Sequence, residues 1–157
     1  GRLSFSPTDR TVLGVGLYTG TLGRDKQTLP AVHTANRVNV MAAYMNGNTR
    51  LGVEYFRANN WNNVMTVATD GASGWSLWGS HGLNQNGVTL FARYDNSRTS
   101  RTLDPTLRDT YYNLGVEWPL APGIKLATVY KHTEQRNALR TRNLQTDEFG
   151  VWGEFRF

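Results

Sequence analysis

The sequence contains no cysteine and no long run of apolar residues. Of its 157 residues, 39% are hydrophobic, and the mean hydropathy is negative. A membrane-spanning helix needs about 18 to 20 consecutive apolar residues, so a helical membrane protein is excluded. The lack of cysteine permits a location outside the cytoplasm without requiring one.

The sequence also lacks any cluster of basic residues. Lysine and arginine outnumber aspartate and glutamate by 17 to 12, which gives a formal net charge of +5. Nucleic-acid-binding proteins concentrate such charge in a patch or stripe. Here the basic residues are scattered singly, so we expect no nucleic-acid partner.

The chain begins at Gly1, with neither an initiator methionine nor a signal peptide. We therefore expect a processed product or a fragment. The length predicts a single domain over residues 1–157, or part of one.

The last eleven residues alternate between two kinds of side chain. One parity is mostly apolar and aromatic, with Phe149, Val151, Gly153, Phe155 and Phe157. The other parity carries the charges, with Glu148, Gly150, Trp152, Glu154 and Arg156. A period of two predicts a β-strand. Because an exposed apolar edge invites aggregation, we expect this strand to be covered.

This strand resembles the C-terminal signature of Gram-negative outer-membrane β-barrel proteins, which the barrel-assembly machinery recognises. Phe149, Val151, Phe155 and Phe157 match the signature, whereas Gly153 departs from it, since a larger apolar residue is more usual there. The resemblance implies a location in the bacterial outer membrane, contact with its lipid and lipopolysaccharide, and recognition by the assembly machinery.

The rest of the chain alternates in the same way. The predicted strands are residues 2–6, 11–20, 37–45, 50–56, 74–82, 88–95, 111–118, 124–131 and 147–157. Short turns rich in Asn, Gly and Pro are predicted at residues 7–10, 46–48, 84–87 and 119–123. Longer loops are predicted at residues 20–35, 59–73, 96–109 and 134–146. Alternating short and long connections are typical of transmembrane barrels. We predict an all-β fold, an antiparallel up-and-down transmembrane β-barrel with about eight full-length strands in this chain.

A soluble barrel of the lipocalin type also alternates, and the position of the aromatic residues separates the two folds. On the apolar parity, aromatic residues fall near both strand ends and bracket an aliphatic band. Two such belts are what the two headgroup layers of a membrane select. The predicted membrane girdle is Tyr44, Trp75, Tyr94, Tyr112, Trp118, Tyr130, Phe149, Phe155 and Phe157.

Charged residues collect on the opposite parity, together with several glycines. These charges would be costly in hydrocarbon, so they must face water or one another. The predicted pore lining is Arg37, Arg50, Glu54, Arg93, Asp95, Glu117, Lys125, Lys131, Glu148, Glu154 and Arg156. Charge pairs that only stabilise the wall are an alternative role for many of them.

The strand count bears on whether the barrel is whole. Eight strands give an interior that side chains just fill, whereas this inner parity combines glycines with long charged residues. Leu3 and Phe5 continue the alternation in a further short strand. We therefore expect the C-terminal part of a larger barrel, with a complete eight-stranded barrel as the alternative.

Residues 87–95, 109–118 and 147–157 also resemble the closing strands of proteobacterial porins that pass small polar or anionic solutes. That resemblance implies a porin for passive diffusion through a charged, water-lined lumen. Four basic residues are the candidates for attracting anions: Arg37, Arg93, Lys125 and Lys131. The alternatives are a closed barrel that acts through its extracellular loops, in adhesion, recognition or scaffolding, and an outer-membrane barrel hydrolase.

Loop arginines would either concentrate anions at the mouth by their field or bind lipopolysaccharide phosphates. They are Arg24, Arg98, Arg101, Arg108, Arg136, Arg140 and Arg142.

We expect no enzymatic activity. A barrel hydrolase needs a histidine beside a nucleophilic serine, or an Asp–His pair, at the extracellular rim. His81 follows Ser80 at a short-turn end, His132 lies at the correct rim without a serine motif, and His33 stands alone in a loop.

We also expect no cofactor and no metal. Asp70, Asn62 and Asn63 could contact calcium, but the spacing of an EF-hand loop is missing. The solute and the oligomeric state stay open, with a homo-oligomer among the options.

Overall fold

A computed structural model describes residues 1–21, 34–61, 69–83 and 87–156, and they form one antiparallel β-sheet. The described residues form nine strands: β1 Arg2–Thr8, β2 Thr11–Thr21, β3 Thr34–Asn46, β4 Thr49–Asn59, β5 Gly71–Gly82, β6 Thr89–Arg98, β7 Arg108–Ala121, β8 Ile124–Arg136 and β9 Asn143–Phe155. The predicted all-β, up-and-down fold is confirmed. The short strand predicted at residues 2–6 is β1; it pairs with β2 and brings the number of strands from the predicted eight to nine.

Every strand pairs with its neighbours in sequence, in the order β1 to β9. Within the described part of the chain no pairing joins β1 to β9, so these two strands are the edges of the sheet. Two-residue turns join β1 to β2, β3 to β4, and β7 to β8. Longer segments join β2 to β3, β4 to β5, β6 to β7, and β8 to β9. These four segments therefore lie at one end of the sheet, called here the loop side. The opposite end, called the turn side, holds the three two-residue turns and the six-residue connection between β5 and β6, residues 83–88.

Turn chemistry fixes two of the tight connections. Gly47 and Gly123 have φ angles of 55° and 77°, in the left-handed region that glycine adopts without steric cost. These two positions agree with the predicted turns at residues 46–48 and 119–123. Most of the turn predicted at residues 84–87 lies outside the described residues.

Several predicted strand ends were wrong, because the strands continue farther than the alternation of polar and apolar residues. β3 begins at Thr34 and β8 runs to Arg136, since backbone pairing continues where the outer face has become polar. β7 runs through Pro119 to Ala121, with a register shift that accommodates the missing proline N–H. The turn between β7 and β8 is therefore two residues long, shorter than the predicted turn at residues 119–123.

The two faces of the sheet are packed differently. The inner face is the one that carries Arg93 and the other predicted pore-lining residues; the outer face carries Leu77 and Leu114. The buried apolar residues of the described chain are small, and all lie on the inner face: Ala35, Ala58, Ala72 and Val129. No large side chain there is fully buried. The sheet is therefore held by its hydrogen-bond ladder and inner-face packing rather than by a hydrophobic core.

Glycine lets aromatic rings lie flat against the inner wall. A Cβ atom added to Gly52 would overlap the Trp78 ring on the next strand, and one added to Gly115 would overlap the Phe91 ring. Each ring thus covers the backbone of a neighbouring strand.

The sheet curls around its inner face. At the turn side, residues from the β3–β4 turn through β9 line a single cavity of about 750 Å³. Side chains from strands five positions apart meet there, which requires the inner face to be concave.

Candidate functional site

The inner face brings opposite charges together. The Nε atom of Arg93 lies 2.8 Å from Oδ1 of Asp95 on the same side of β6, and its Nη2 donates to the Ser76 hydroxyl at 3.3 Å. Lys125 donates to Glu117 at 2.7 Å across β7 and β8. These cations are compensated, which reduces the field that a passing anion would experience.

The same pairing continues on β9. Lys131 donates to Glu148 at 2.9 Å, and its ammonium lies 4.5 Å from the centre of the Trp152 ring. Arg156 pairs with Glu154 two residues earlier. All eleven predicted pore-lining residues lie on the inner face, six basic and five acidic, and four acid–base pairs join eight of them.

Arg37 is held differently. Its guanidinium carbon lies 5.1 Å from the centre of the Phe56 ring and 5.3 Å from that of Trp61, so cation–π contacts fix it between two rings. Trp61 follows β4 and also packs edge-on against Tyr18 at 5.0 Å. Arg37 forms no ion pair with any described residue, so it presents an uncompensated positive charge near the loop side.

Arg50 and Glu54 complete the predicted set. Arg50 lines the turn-side cavity with the pairs formed by Lys125 and Arg156, and it has no carboxylate partner among the described residues. Glu54 accepts a hydrogen bond of 3.1 Å from the Asn39 amide. The predicted lining is thus nearly neutral, with free arginines toward its two ends; Arg2 of β1 also lies on the inner face, where it donates to the Met41 sulfur at 2.9 Å.

The outer face is apolar and exposed. Leu77 is 53% exposed and Leu114 is 59% exposed, although each sits in the middle of a well-paired strand. In water an exposed apolar surface of this extent indicates an interaction surface. A lipid environment would cover it.

Five of the predicted girdle residues form a continuous belt on the loop side of the outer face, called here the loop-side belt. Tyr94 lies two residues from the direct partner of Trp75 and pairs directly with Tyr112. Tyr130 lies two residues from the direct partner of Tyr112 and pairs directly with Phe149. Ring centres of Trp75 and Tyr94 are 5.3 Å apart, and those of Tyr112 and Tyr130 are 6.0 Å apart.

Three more form a turn-side belt. Following the strand pairing from Tyr44 leads to Leu114 on β7 and to Phe149 on β9. On β7, four strands from Tyr44, Trp118 lies four residues closer to the turn side than Leu114. On β9, six strands from Tyr44, Phe155 lies six residues closer to the turn side than Phe149. Phe157, the remaining girdle residue, lies outside the described residues.

Averaged over the strands, both belts therefore step one residue toward the turn side per strand. A shift of about 3.3 Å for each strand spacing of about 4.8 Å corresponds to a tilt of about 35°. Strands of outer-membrane barrels tilt by about 35–45°. Two belts that run parallel at this slope would each lie at constant height in a membrane plane, about six residues or 20 Å apart along a strand.

Tyr55 is not among the predicted girdle residues. It pairs directly with Trp75 and is 47% exposed on the outer face, so it extends the loop-side belt onto β4. The sequence shows that Tyr55 shares a face with Leu51 and Val53. It does not give the pairing register, which places Tyr55 at the level of the loop-side belt.

A polar cluster on the outer face lies just beyond the loop-side belt. The Asp147 carboxylate accepts from the Tyr130 hydroxyl at 2.6 Å and lies 2.7 Å from Nδ1 of His132. The His132 ring stacks on Tyr112 at 4.8 Å. This Asp–His pair was not predicted, because it joins two strands whose register the sequence does not give. No serine or threonine hydroxyl within the described chain is bonded to His132.

The other histidines differ. Nδ1 of His81 lies 2.8 Å from the Thr49 hydroxyl on the neighbouring strand, at the turn side of the outer face. His33 lies outside the described residues, as do Asn62, Asn63 and Arg24.

Asp70 fastens one long loop to the next. One of its carboxylate oxygens accepts from the backbone N–H groups of Gly71, Arg101 and Thr102 at 2.7, 3.0 and 2.9 Å. Burial of this carboxyl opposes ionisation, but these bonds and one from the Ser100 side chain outweigh that effect, so the pKa of Asp70 is lowered.

Asp104 and Asn137 fasten the β6–β7 loop to the β8–β9 loop. The buried Asn137 amide donates to Asp104 at 2.9 Å, and the Ala138 N–H donates to the Thr106 hydroxyl at 3.1 Å. Hydrogen bonds from Asn137 and Thr106 lower the pKa of Asp104. Three long loops are therefore linked into one polar rim.

The described part of the chain contains no helix long and apolar enough to cross a membrane. It also contains no group of three or more His, Asp or Glu side chains placed to hold a metal ion.

No family model and no curated protein matches this sequence. Two solved structures match its fold, both of OmpT, an outer membrane protein of Vibrio cholerae. Both are of the in-vitro folded protein, and the first matches with a TM-score of 0.67 and 15% identity over 98% of this chain and 53% of that chain. The trimer form matches with a TM-score of 0.67 and 16% identity over 98% and 54%. This chain thus spans about half the length of the structures that it matches. The likeness shows the fold alone: an antiparallel β-meander of the outer-membrane barrel type.

Proposed function

We propose that this chain belongs to a porin of the bacterial outer membrane, which passes small hydrophilic solutes by passive diffusion. The observation that carries the proposal is that the two faces of the sheet differ in polarity. Exposed Leu, Val and Tyr side chains occupy the outer face between two parallel aromatic belts, whereas eleven charged residues line the concave face. Lipid would cover the apolar outer face, and water would solvate the charged inner face.

The mechanism follows from the wall chemistry. Paired ions keep the inner face polar without strong binding, so that solutes can enter and also leave. Arg37 near the loop side and Arg50 near the turn side supply uncompensated positive charge. A weak preference for anions results, carried mainly by these two residues rather than by Arg93, Lys125 and Lys131.

Single-channel recording of the purified protein in planar lipid bilayers tests the proposal. Stepwise conductance that persists over a range of voltages is the expected result. Silence at every voltage, with the protein shown to be folded and inserted, would reject the porin.

A second candidate is a closed barrel that acts through its loops. The linked rim of Asp70, Asp104 and Asn137 favours it, because an ordered loop surface is what recognition or adhesion requires. A protein that is silent in bilayers yet shows saturable binding to a surface ligand would support this candidate.

We propose no enzymatic activity. The third candidate, a lipid hydrolase, draws on the His132–Asp147 pair near the loop-side belt. Hydrolysis of lipid A or phospholipid by the purified protein, abolished by His132→Ala, would support the hydrolase and overturn our proposal of no activity.

A further inference from the structure

We propose that the outer surface of β4 to β7 binds one phosphorylated membrane lipid, with its phosphate between Arg57 and Arg98 and an acyl chain over Gly79 and Ala92. The inference rests on the outer-membrane location in the proposed function, and it adds a specific site to it.

The headgroup end is a row of three residues across neighbouring strands. Arg57 on β4 and Arg98 on β6 are both direct partners of Ser73 on β5, and all three lie on the outer face. Strands two positions apart are separated by about 10 Å, so two long arginine side chains can converge on a phosphate above the serine hydroxyl. Arg57 lies two residues beyond Tyr55, which places the row directly above the loop-side belt.

A third arginine is fixed beside this row. The Arg101 N–H donates to the Gly71 carbonyl at 2.7 Å and to the Asp70 carboxylate at 3.0 Å. Arg57, Asp70 and Arg101 line a cavity of about 470 Å³ beside the row, together with Thr102 and neighbouring asparagines; Ser73 and Arg98 lie outside it. The pocket is thus built by the loop hydrogen bonds that hold Arg101 in place.

Three arginines, Arg57, Arg98 and Arg101, lie near one carboxylate, Asp70, so this surface is net positive. Arg57, Arg98 and Arg101 form no ion pair with any described residue, and the bonded oxygen of the nearby Asp70 accepts from backbone N–H groups. Elsewhere on the same rim Arg136 pairs with Glu134 at 3.2 Å. An anionic ligand is therefore expected over β4 to β6 and not over β8.

The acyl end is a depression in the apolar surface. Leu51, Gly79, Ala92 and Leu114 are successive partners across β4 to β7, so two small residues lie between two leucines. The resulting cavity has a volume of about 770 Å³ and is lined mainly by apolar side chains.

The two ends are spaced as the parts of a lipid. Ala92 lies six residues from Arg98 on β6, about 20 Å along the strand and about 16 Å in height at the tilt given by the belts. Tyr94 of the loop-side belt lies between these two residues on β6, so Arg98 is on the headgroup side of the belt and Ala92 is on its hydrocarbon side. A positively charged row joined to an apolar depression at this spacing fits an amphiphile with a phosphorylated headgroup.

Titration of the detergent-purified protein with bisphosphorylated lipid A, followed by native mass spectrometry, tests the site. The double variant Arg57→Gln with Arg98→Gln should weaken binding at least tenfold, because each charge-assisted hydrogen bond is worth about that factor. Arg136→Gln is the matched control and should bind as the parent does. Ala92→Leu should weaken lipid A binding by filling the depression, whereas Ala42→Leu, on the outer face away from it, should not.

Three results would overturn the inference. They are unchanged lipid A binding by the double arginine variant, equal binding of inorganic phosphate and lipid A, and an altered oligomer mass in Ala92→Leu with normal lipid A binding. The second would indicate a free-phosphate site, and the third a contact between copies. Binding in detergent does not depend on conductance, so a folded protein that is silent in bilayers yet binds lipid A at these residues would reject the porin and keep this site.

Discussion

Arg37 offers the sharpest perturbation of the inner face. Its guanidinium lies between the rings of Phe56 and Trp61 and has no carboxylate partner among the described residues. A passing ion therefore meets a fixed, uncompensated charge. Arg37→Gln removes that charge, and Arg37→Glu reverses it.

The size of the effect follows from Coulomb's law. A unit charge about 4 Å from a passing ion contributes about 1 kcal/mol in a water-like medium, which is about a fivefold change in occupancy. We expect anion occupancy to fall about fivefold in Arg37→Gln and about 25-fold in Arg37→Glu. The screening length is about 10 Å at 0.1 M salt and about 3 Å at 1 M, so the effect should shrink at high salt.

Reversal potentials across a bilayer with a potassium chloride gradient measure the change. Arg136→Gln is the control, because that arginine pairs with Glu134 on the outer face. A reversal potential in Arg37→Glu that equals the parent value at 0.1 M salt would refute the assignment of Arg37 to the conduction path.

Three further outcomes are expected. Asp95→Asn frees Arg93 from its partner and should shift the reversal potential toward anions; a shift toward cations would contradict the pairing. Gly52→Ala forces a Cβ atom against the Trp78 ring and should lower the free energy of unfolding by about 1–3 kcal/mol, less so in a Trp78→Leu background. Because the pKa of Asp70 is lowered, its stabilisation of the loop is complete above an ordinary aspartate pKa of about 3.9 and is lost as pH falls through the lowered value. Spin-label distances between the β4–β5 loop and the β6–β7 loop should therefore stay constant down to about pH 4. Separation of the two loops near pH 6 would show that Asp70 does not hold them together.

The strands and their faces were predictable because a period of two is local. Leu77 and Trp78 fall on opposite faces by parity alone, and residues such as Asn46 and Gly47 mark where the chain turns. The strand ends on the loop side were not predictable in the same way. Beyond the loop-side belt the outer face is polar too, so backbone pairing continues where the alternation of polar and apolar residues has stopped.

The contacts of the candidate site depend on register, which parity does not give. The His132–Asp147 pair and the row of Arg57, Ser73 and Arg98 exist because specific residues on neighbouring strands are direct partners. The fixing of Arg37 depends on Trp61, which lies after β4 in a segment without periodicity. The sequence therefore predicts which residues share a face, and the folded chain decides which of them meet.

The orientation of the two faces, apolar toward lipid and charged toward water, can be measured directly because the chain has no native cysteine. Single cysteines would be introduced in place of Leu114, Leu126, Glu117 and Lys125, spin-labelled, and compared in lipid for accessibility to oxygen and to a water-soluble nickel reagent. Labels at the two leucines should respond mainly to oxygen, and labels at the two charged positions should respond mainly to nickel. The reverse pattern, with the leucines exposed to nickel and the charged positions exposed to oxygen, would contradict this orientation.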